Sequence, residues 1–542
     1  MYLNEKILVG KNKEAETYIV PRMANRHGLI TGASGSGKTT TVKVLAESFS
    51  AAGVPVFVAD VKGDLGGCAV AGESSDKIIE RLENLKVEGF DFKAFPVHFW
   101  DIYQQNGHPI RTTIKSVGPQ ILSMMLGLSE AQEGVLSIVF RVAEDEDFKL
   151  IDLKDLRLVL QHVGDNKNDY ITKYGNITTQ SVGVIQRSLL TLEDQGANLF
   201  FGEPELEIND FMMNDNEGCG YINILHAVEL FHCPDLYASF LLWLLTDLFK
   251  KLPEVGDLDK PKIVFFFDEA HLLFNNMPNY RLKQIVQIVK LIRSRGIGLY
   301  FISQSPTDIP DEIIAQLGNR IQHTLRAYTP SEQKSVKAAA NAFRVNPKFD
   351  TEKAILELGT GEALVSFQNE KGEPGIVERV FILPPQSYMG AIDDFTRNKM
   401  INNSNLCGKY DEALDSESAY EVISAKMEEK RKAEEEERER IEEEKRKEQE
   451  AKEEEKRLKE EEKQRAKEEK EEKERLRQEE KERKEAERLA EKERKEKEKK
   501  EKEEEKARKN TVQYKLGKKV VNKTTDKLIN KGLNSILKKF WK

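Results

Sequence analysis

A glycine-rich octapeptide near the amino end of the chain carries residue types that bind phosphate. Residues 32–39 read GASGSGKT and match the pattern G-x-x-x-x-G-K-[ST] in full. Glycines let such a loop wrap until its backbone N–H groups converge on phosphate oxygens, and the helix that follows adds the positive end of its dipole. The lysine reaches the β- and γ-phosphates, and the hydroxyl after it ligates Mg²⁺. The residues predicted to bind nucleotide are Ser34, Gly35, Ser36, Gly37, Lys38, Thr39 and Thr40.

An acidic pair far along the chain supplies the second half of this chemistry. Asp268 and Glu269 directly follow the apolar run Ile263–Phe267, which is typical of a strand buried on both faces. Asp268 is expected to hold the hydrated Mg²⁺ together with Thr39, and Glu269 to polarise the attacking water. An acidic pair after a strand is also common as a turn or helix cap, but the phosphate loop upstream favours the catalytic interpretation. The glutamate favours a hydrolase over a nucleotide-binding switch, so ATP and Mg²⁺ are the predicted ligands.

A polar pair ends the next predicted strand. The apolar segment Ile297–Ser303 is followed by Gln304, whose amide we expect to lie beside Glu269. From there it would sense the γ-phosphate during hydrolysis. The alternative is an ordinary loop amide at a strand end.

The segment DVKGD over residues 60–64 follows a strand predicted over residues 54–59. Because ligands of open α/β sheets bind outside the carboxyl ends of the strands, Asp60 is expected to face the same crevice. Lys62 or Asp64 is expected to touch the nucleotide or Mg²⁺. The alternative is a polar loop without contact to ligand.

Several basic side chains stand close to these motifs. Ring-forming ATPases place an arginine of one subunit against the γ-phosphate of its neighbour. Arg320 and Arg326 flank the strand after Gln304 and are the candidates, with Arg320 preferred. Arg293 and Arg295 are expected to be solvated or structural. His271, in the tetrapeptide DEAH, is expected to be a positioned polar residue without a metal role.

The elements that must position these residues alternate between strands and helices. A β–loop–α–β pattern in the first part of the chain indicates a parallel sheet with helices on its faces. We therefore expect an α/β fold in which residues 1–100 and 215–400 form one discontinuous domain. Residues 101–214 are predicted to be a mostly helical insertion, and residues 401–425 a linker.

Charge divides the 542-residue chain into three parts. Residues 426–510 hold 34 basic and 36 acidic residues, and residues 511–542 hold nine lysines and one aspartate. The remaining residues 1–425 carry a net charge of −15. An acidic globular part, a nearly neutral charged segment and a basic tail therefore follow one another.

The charged segment lacks the apolar seam of a coiled coil, because its few large apolar residues are more than ten positions apart. Many Glu-to-Lys or Glu-to-Arg pairs at i,i+4 instead favour a solvated single helix of about 130 Å. Disorder is the alternative. The basic amphipathic tail is expected to pack back on the ATPase, bind DNA or, least favoured, contact an anionic membrane.

Composition also excludes several classes of protein. The amino end has neither the basic start nor the apolar core of a signal peptide, and the longest apolar stretch is short for a membrane span. The four cysteines are far apart and form no C-x-x-C pair, which suits a reducing compartment. A cytoplasmic location is expected.

Taken in order, five motifs resemble those of the HerA/FtsK superfamily, and most closely the bacterial HerA-helicase-domain-like proteins of YjgR type. They lie at residues 27–39, 60–64, 267–273, 302–304 and 318–327. The resemblance spans about residues 5–400 and leaves out the charged segment and the β-barrel domain with which archaeal HerA begins. It implies a RecA-like ATPase that assembles as a hexameric ring and moves double-stranded DNA.

Two functions follow from these observations. The first is an ATP-driven DNA translocase of helicase type, although the acidic balance of residues 1–425 is unusual for a DNA-binding protein. The second is a non-motor ATPase that acts as regulator or scaffold in a multi-protein complex, such as a defence complex, through its charged segment. The two differ in whether duplex DNA stimulates ATP turnover.

Overall fold

The computed structural model describes residues 1–275 and 277–496, in two compact units that divide after Ala433. Strands in the described residues are β1 Tyr2–Leu3, β2 Lys6–Lys11, β3 Glu16–Ile19, β4 Gly28–Thr31, β5 Val56–Asp60, β6 Val97–Asp101, β7 His108–Pro109, β8 Ile222–His226, β9 Ile263–Phe267, β10 Ile297–Ser303, β11 Asn319–Gln322, β12 Glu362–Ser366 and β13 Glu378–Ile382.

Helices surround these strands and continue beyond them. They are α1 Lys38–Ala51, α2 Asp76–Leu85, α3 Ile114–Met125, α4 Glu130–Asp145, α5 Leu153–Asp165, α6 Lys167–Tyr174, α7 Thr179–Asp194, α8 Pro234–Lys251, α9 Asn279–Ile292, α10 Asp311–Ile314, α11 Pro330–Asn341, α12 Thr351–Glu357, α13 Asp394–Asn402 and α14 Ala419–Glu496. Within the described part of the chain, none of them combines the length and the apolar character that crossing a membrane would need.

One sheet organises the first unit, in the order β1-β2-β13-β12-β11-β4-β10-β9-β5-β8-β6-β7, with β3 paired to β2. The strands from β11 to β7 run parallel, whereas β12, β13 and β2 are antiparallel. Every residue of β9 is buried, as a strand covered on both faces requires. The predicted α/β class with a RecA-like parallel sheet is confirmed.

Helices cover both faces of this sheet. Helix α1 packs on one face through Val42, Leu45 and Phe49, in the same core cluster as Val56 of β5. The other face is covered by α8, α9 and the helices of the region 101–214, which share a second core cluster. The phosphate loop is thus anchored between a buried strand and a buried helix.

The structure differs from the expected boundaries at residue 100 and after residue 400. The amino-terminal strands join the antiparallel edge of the sheet as part of the expected domain, whereas β6 and β7 extend the parallel edge past residue 100. Residues 401–425, expected as a linker, bury Leu406, Tyr410 and Ile423 against the core. Tyr410, whose ring anchors this segment, lies between α13 and α14 in residues 403–418, which form neither a helix nor a strand, so the sequence there gives little sign of packing.

The last helix, α14, is charged along its length. Its apolar side chains at Ile441, Leu458 and Leu476 are exposed. Ion pairs at i,i+4 line it, for example Lys452–Glu448 at 2.6 Å and Lys473–Glu469 at 2.7 Å. The remainder of the predicted charged segment, 497–510, and the tail 511–542 lie outside the described residues.

Candidate active site

The carboxyl ends of four parallel strands bring the predicted motifs to one edge of the sheet. Register places Ser303 of β10 beside Thr31 of β4, and Phe301 beside Phe267 of β9. Strand β5 follows on the far side of β9. The phosphate loop, the acidic pair and the Gln304 loop therefore emerge side by side, as ligand sites of α/β sheets do.

The phosphate loop takes backbone conformations that favour glycine. Gly35 and Gly37 have φ values of +74° and +111°. A Cβ at Gly32 would lie 2.5 Å from the Cβ of His323, so no larger residue fits there. Within the described residues no side chain caps the first turn of α1, which leaves its N–H groups available to an anion.

Lys38 lies folded into this loop. Its Nζ donates to the carbonyl oxygens of Gly32 at 2.6 Å and Ala33 at 3.2 Å. Burial lowers the pKa of the Lys38 ammonium, and neighbouring Lys62 lowers it further, whereas the carboxylates of Asp268 and Glu269 oppose this shift. The Lys38 ammonium and the two carboxylates of the acidic pair therefore lie close enough to shift one another's pKa values.

Asp268 lies at the end of β9, where neighbouring groups offset the negative charge of its buried carboxylate only in part. Burial raises the pKa of its carboxyl to about 6, and Glu269 raises it as well, while Lys62 and Lys38 act in the opposite direction. One carboxylate oxygen accepts the backbone N–H of Glu269 at 2.9 Å. The Tyr237 hydroxyl donates to the Asp268 carbonyl at 2.7 Å and fixes the backbone there.

Glu269 has a left-handed backbone, with φ at +47°. Its carboxylate lies 3.3 Å from Nδ1 of His271. The neighbouring His271 ring lowers the pKa of Glu269, and Lys38 and Gln304 contribute to the same lowering. In return Glu269 raises the pKa of His271. Glu269 is therefore held as an ionised base, and Gln304 lies where the sequence predicted it, next to that base.

The residues at this edge fit a magnesium nucleotide. The buried hydroxyl of Ser36 and one carboxylate oxygen of Asp64 have no hydrogen-bond partner among the described residues. Hydroxyl and carboxylate oxygens are the protein ligands that Mg²⁺ prefers. Thr39 and Asp268 are the groups that would hold the ion, and its charge would offset the raised pKa of Asp268.

Asp60 builds a loop instead of pointing at the ligand crevice. Its two carboxylate oxygens accept the backbone N–H groups of Gly63 at 2.7 Å and Leu65 at 2.9 Å, among others. Lys62, which this loop presents, influences the pKa of both Lys38 and Asp268. Of the three residues predicted in this segment, Lys62 lies close enough to shift the pKa of Lys38 and Asp268, and Asp60 holds the loop that presents it.

The two candidate arginines lie in different environments. Arg320 is bound within its own subunit, since its guanidinium donates to the carbonyl oxygens of Leu317, Ala342 and Ile314 at 3.1–3.4 Å. Arg326 is exposed and lines a cleft of about 510 Å³ next to Ser34, together with His271 and Gln304. The Arg320 side chain is therefore engaged by backbone carbonyls, whereas the Arg326 side chain is exposed at the cleft.

Comparison with known proteins adds to this geometry. The family model described as "Helicase HerA-like C-terminal" matches residues 5–476, which is most of the chain. The chain belongs to the HerA-like helicase family. The match continues past residue 400, where the resemblance was expected to end, into helix α14.

Individual relatives of this HerA-like protein are distant. "Probable helicase MJ1565" of Methanocaldococcus jannaschii is 26% identical over 64% of this chain and 60% of its own length. The "DNA double-strand break repair helicase HerA" of Sulfurisphaera tokodaii is 24% identical over 66% of each chain. This chain thus spans three fifths to two thirds of the relatives' length. The structure of VirB4 of Thermoanaerobacter pseudethanolicus matches 71% of this chain and 97% of its own, with 14% identity and a TM-score of 0.46.

The sequence motifs did not reveal one buried residue of the HerA-like site. His323, fully buried after β11, lies 2.9 Å through Nε2 from the Thr41 hydroxyl and 3.0 Å through Nδ1 from the Glu362 carbonyl. Burial lowers its pKa to about 4, so the ring is neutral at pH 7. It connects helix α1 to β12 beneath the phosphate loop. His323 lies inside the motif at residues 318–327, one residue past a strand that ends at the site, but that motif assigned it no role.

Proposed function

We propose that this HerA-like protein is an ATP hydrolase of helicase type that assembles as a hexameric ring and moves duplex DNA. The observation that carries the proposal is the meeting of the phosphate loop, the acidic pair and Gln304 at one sheet edge. Membership of the helicase family supports the class of activity. The cytoplasmic location stays a prediction.

The hydrolysis step uses side chains that the site already holds close together. Lys38 exchanges the carbonyls of Gly32 and Ala33 for β- and γ-phosphate oxygens. Glu269 accepts the proton of the water that attacks the γ-phosphorus, and ADP leaves. Gln304 orients that water. Bound Mg²⁺ would neutralise phosphate charge between Thr39 and Asp268.

Arg326 is the proposed partner of the γ-phosphate. It is exposed, lines the cleft beside Ser34 and donates to no other group among the described residues. A cleft of about 510 Å³ at this end leaves room for a neighbouring subunit to contribute contacts. Arg320 could contact a phosphate only after breaking three hydrogen bonds to backbone carbonyls, so we assign it a structural role.

The non-motor ATPase remains a second candidate because of one observation. Residues 1–425 carry a net charge of −15, which repels a phosphate backbone unless basic groups are concentrated locally. In this alternative the charged helix α14 recruits a protein partner, and added nucleic acid does not change the rate of ATP turnover.

Phosphate release by the full-length protein, measured with and without duplex DNA, separates these functions. The motor predicts a hexameric native mass and turnover that duplex DNA stimulates and rising salt suppresses. Turnover that DNA leaves unchanged supports the regulator. Lys38→Ala, which removes the phosphate-binding lysine, serves as the control for contaminating ATPases. With that variant inactive, turnover by Glu269→Gln equal to that of the wild type would contradict the assignment of the base.

A further inference from the structure

The positions of the catalytic side chains fix the orientation in which a nucleotide would bind. The γ-phosphate must face Glu269 and Gln304, which lie at the ends of β9 and β10 on one side of the phosphate-loop strand β4. The α-phosphate, ribose and base must therefore extend to the other side of β4. There the sheet continues with β11, β12 and β13.

A glycine turn on that side touches the phosphate loop. The N–H of Gly361, just before the body of β12, donates to the carbonyl of Ser36 at 3.4 Å. A Cβ on Gly37 would lie 3.5 Å from the Cα of Gly361. Gly361 itself has φ at +80°, so a side chain there would be strained. The backbone on this side therefore approaches the phosphate loop closely.

Next to this turn lies an open cleft of about 830 Å³, within the usual size of a small-molecule site. Arg81 of α2 reaches its inner end: Nη2 donates to the Thr360 carbonyl at 3.4 Å. Nη1 would lie 2.7 Å from a Cβ at Gly361. The same guanidinium lies 5.5 Å from the ring centroid of Phe381, which is 38% exposed. A planar cation and an aromatic ring thus line a cavity next to the Gly361 turn, and that turn contacts the phosphate loop.

We propose that this cleft is the nucleoside subsite, in which Arg81 and Phe381 pack against the purine base of the bound nucleotide. Guanidinium and aromatic planes both stack on purine rings. The carboxylates of Glu80 and Glu378 line the same cleft and offer acceptors to ribose hydroxyls. The inference rests on the proposed function, because it requires triphosphate in the phosphate loop.

Calorimetric titration of the full-length protein tests the subsite with two probes, MgATP and magnesium tripolyphosphate, which lacks base and ribose. Wild-type protein should bind MgATP more tightly than tripolyphosphate. Arg81→Ala should weaken MgATP binding by about 5- to 30-fold, the effect expected for a lost cation–π stack, and leave tripolyphosphate binding unchanged. Phe381→Leu should act in the same direction, and Arg187→Ala, an exposed helical arginine on α7, should change neither affinity.

The outcomes separate the subsite from the proposed function. Unchanged MgATP binding in both Arg81→Ala and Phe381→Leu overturns the subsite. Equal weakening of both probes by Arg81→Ala also overturns it, because Arg81 would then contact phosphate. Failure of the wild-type protein to bind either probe refutes the proposed function itself. Lys38→Ala should weaken both probes together.

Discussion

Asp268→Asn should stabilise the nucleotide-free protein while abolishing hydrolysis. Burial and the charge of Glu269 raise the pKa of Asp268 from 3.8 to about 6. A carboxyl whose pKa is higher in the folded state destabilises that state once it is ionised. The cost begins as pH rises above the unfolded value near 3.8 and is complete above about 6.

At 1.36 kcal/mol per pKa unit, this shift corresponds to a cost of at most about 3 kcal/mol at neutral pH. The side chain keeps some solvent contact, so a gain of about 1–3 kcal/mol is expected from removing its charge. An amide of the same shape retains the hydrogen bond from the Glu269 N–H.

Denaturant unfolding of the full-length protein in EDTA, at pH 7.5 and at pH 4, measures this gain. Asp268→Asn should have the larger free energy of unfolding at pH 7.5, and its advantage should shrink toward zero at pH 4. Asp259→Asn, on an exposed loop before β9, is the matched control and should change stability little at either pH. MgATP should stabilise wild-type protein more than the variant. Equal or lower stability of Asp268→Asn at pH 7.5 would refute the argument.

Three further predictions concern turnover. Glu269→Gln should lower kcat by at least about 100-fold while MgATP still binds, as measured by phosphate release and calorimetry; turnover at the wild-type rate would show that another group activates water. Arg326→Ala should lower kcat by more than about 10-fold with little change in melting temperature, whereas Arg320→Ala should chiefly lower the melting temperature; the reverse pattern would restore Arg320 as the phosphate-contacting residue. Because His271 lowers the pKa of Glu269, His271→Ala should move the acidic limb of the pH–rate profile to higher pH, and an unmoved limb would show that the pair does not form during turnover.

The strands and the motifs at their ends could be predicted from the sequence because each signal is local. The apolar run before Asp268 and the glycine pattern before Lys38 each specify an element and its end within a few residues. Parallel pairing then brings those ends together without further information.

Contacts between distant segments gave no such signal. Arg81 meets the Gly361 turn, and His323 meets Thr41, only after the sheet has assembled. The hydrogen bonds that hold Arg320 are made to backbone carbonyls, which any sequence supplies. The Tyr410 ring likewise packs against residues distant in sequence, so no local pattern indicates that it anchors the segment expected to be a linker.

The central claim is that the phosphate loop and the acidic pair close around one triphosphate. A structure of the full-length Glu269→Gln variant with MgATP tests it directly. The claim predicts triphosphate on the N–H groups of residues 34–39, with one Mg²⁺ at about 2.1 Å from the Thr39 hydroxyl and Asp268 bound to that ion or to its water. Nucleotide at another site, or an ion without contact to Asp268 or its bound water, would contradict the claim.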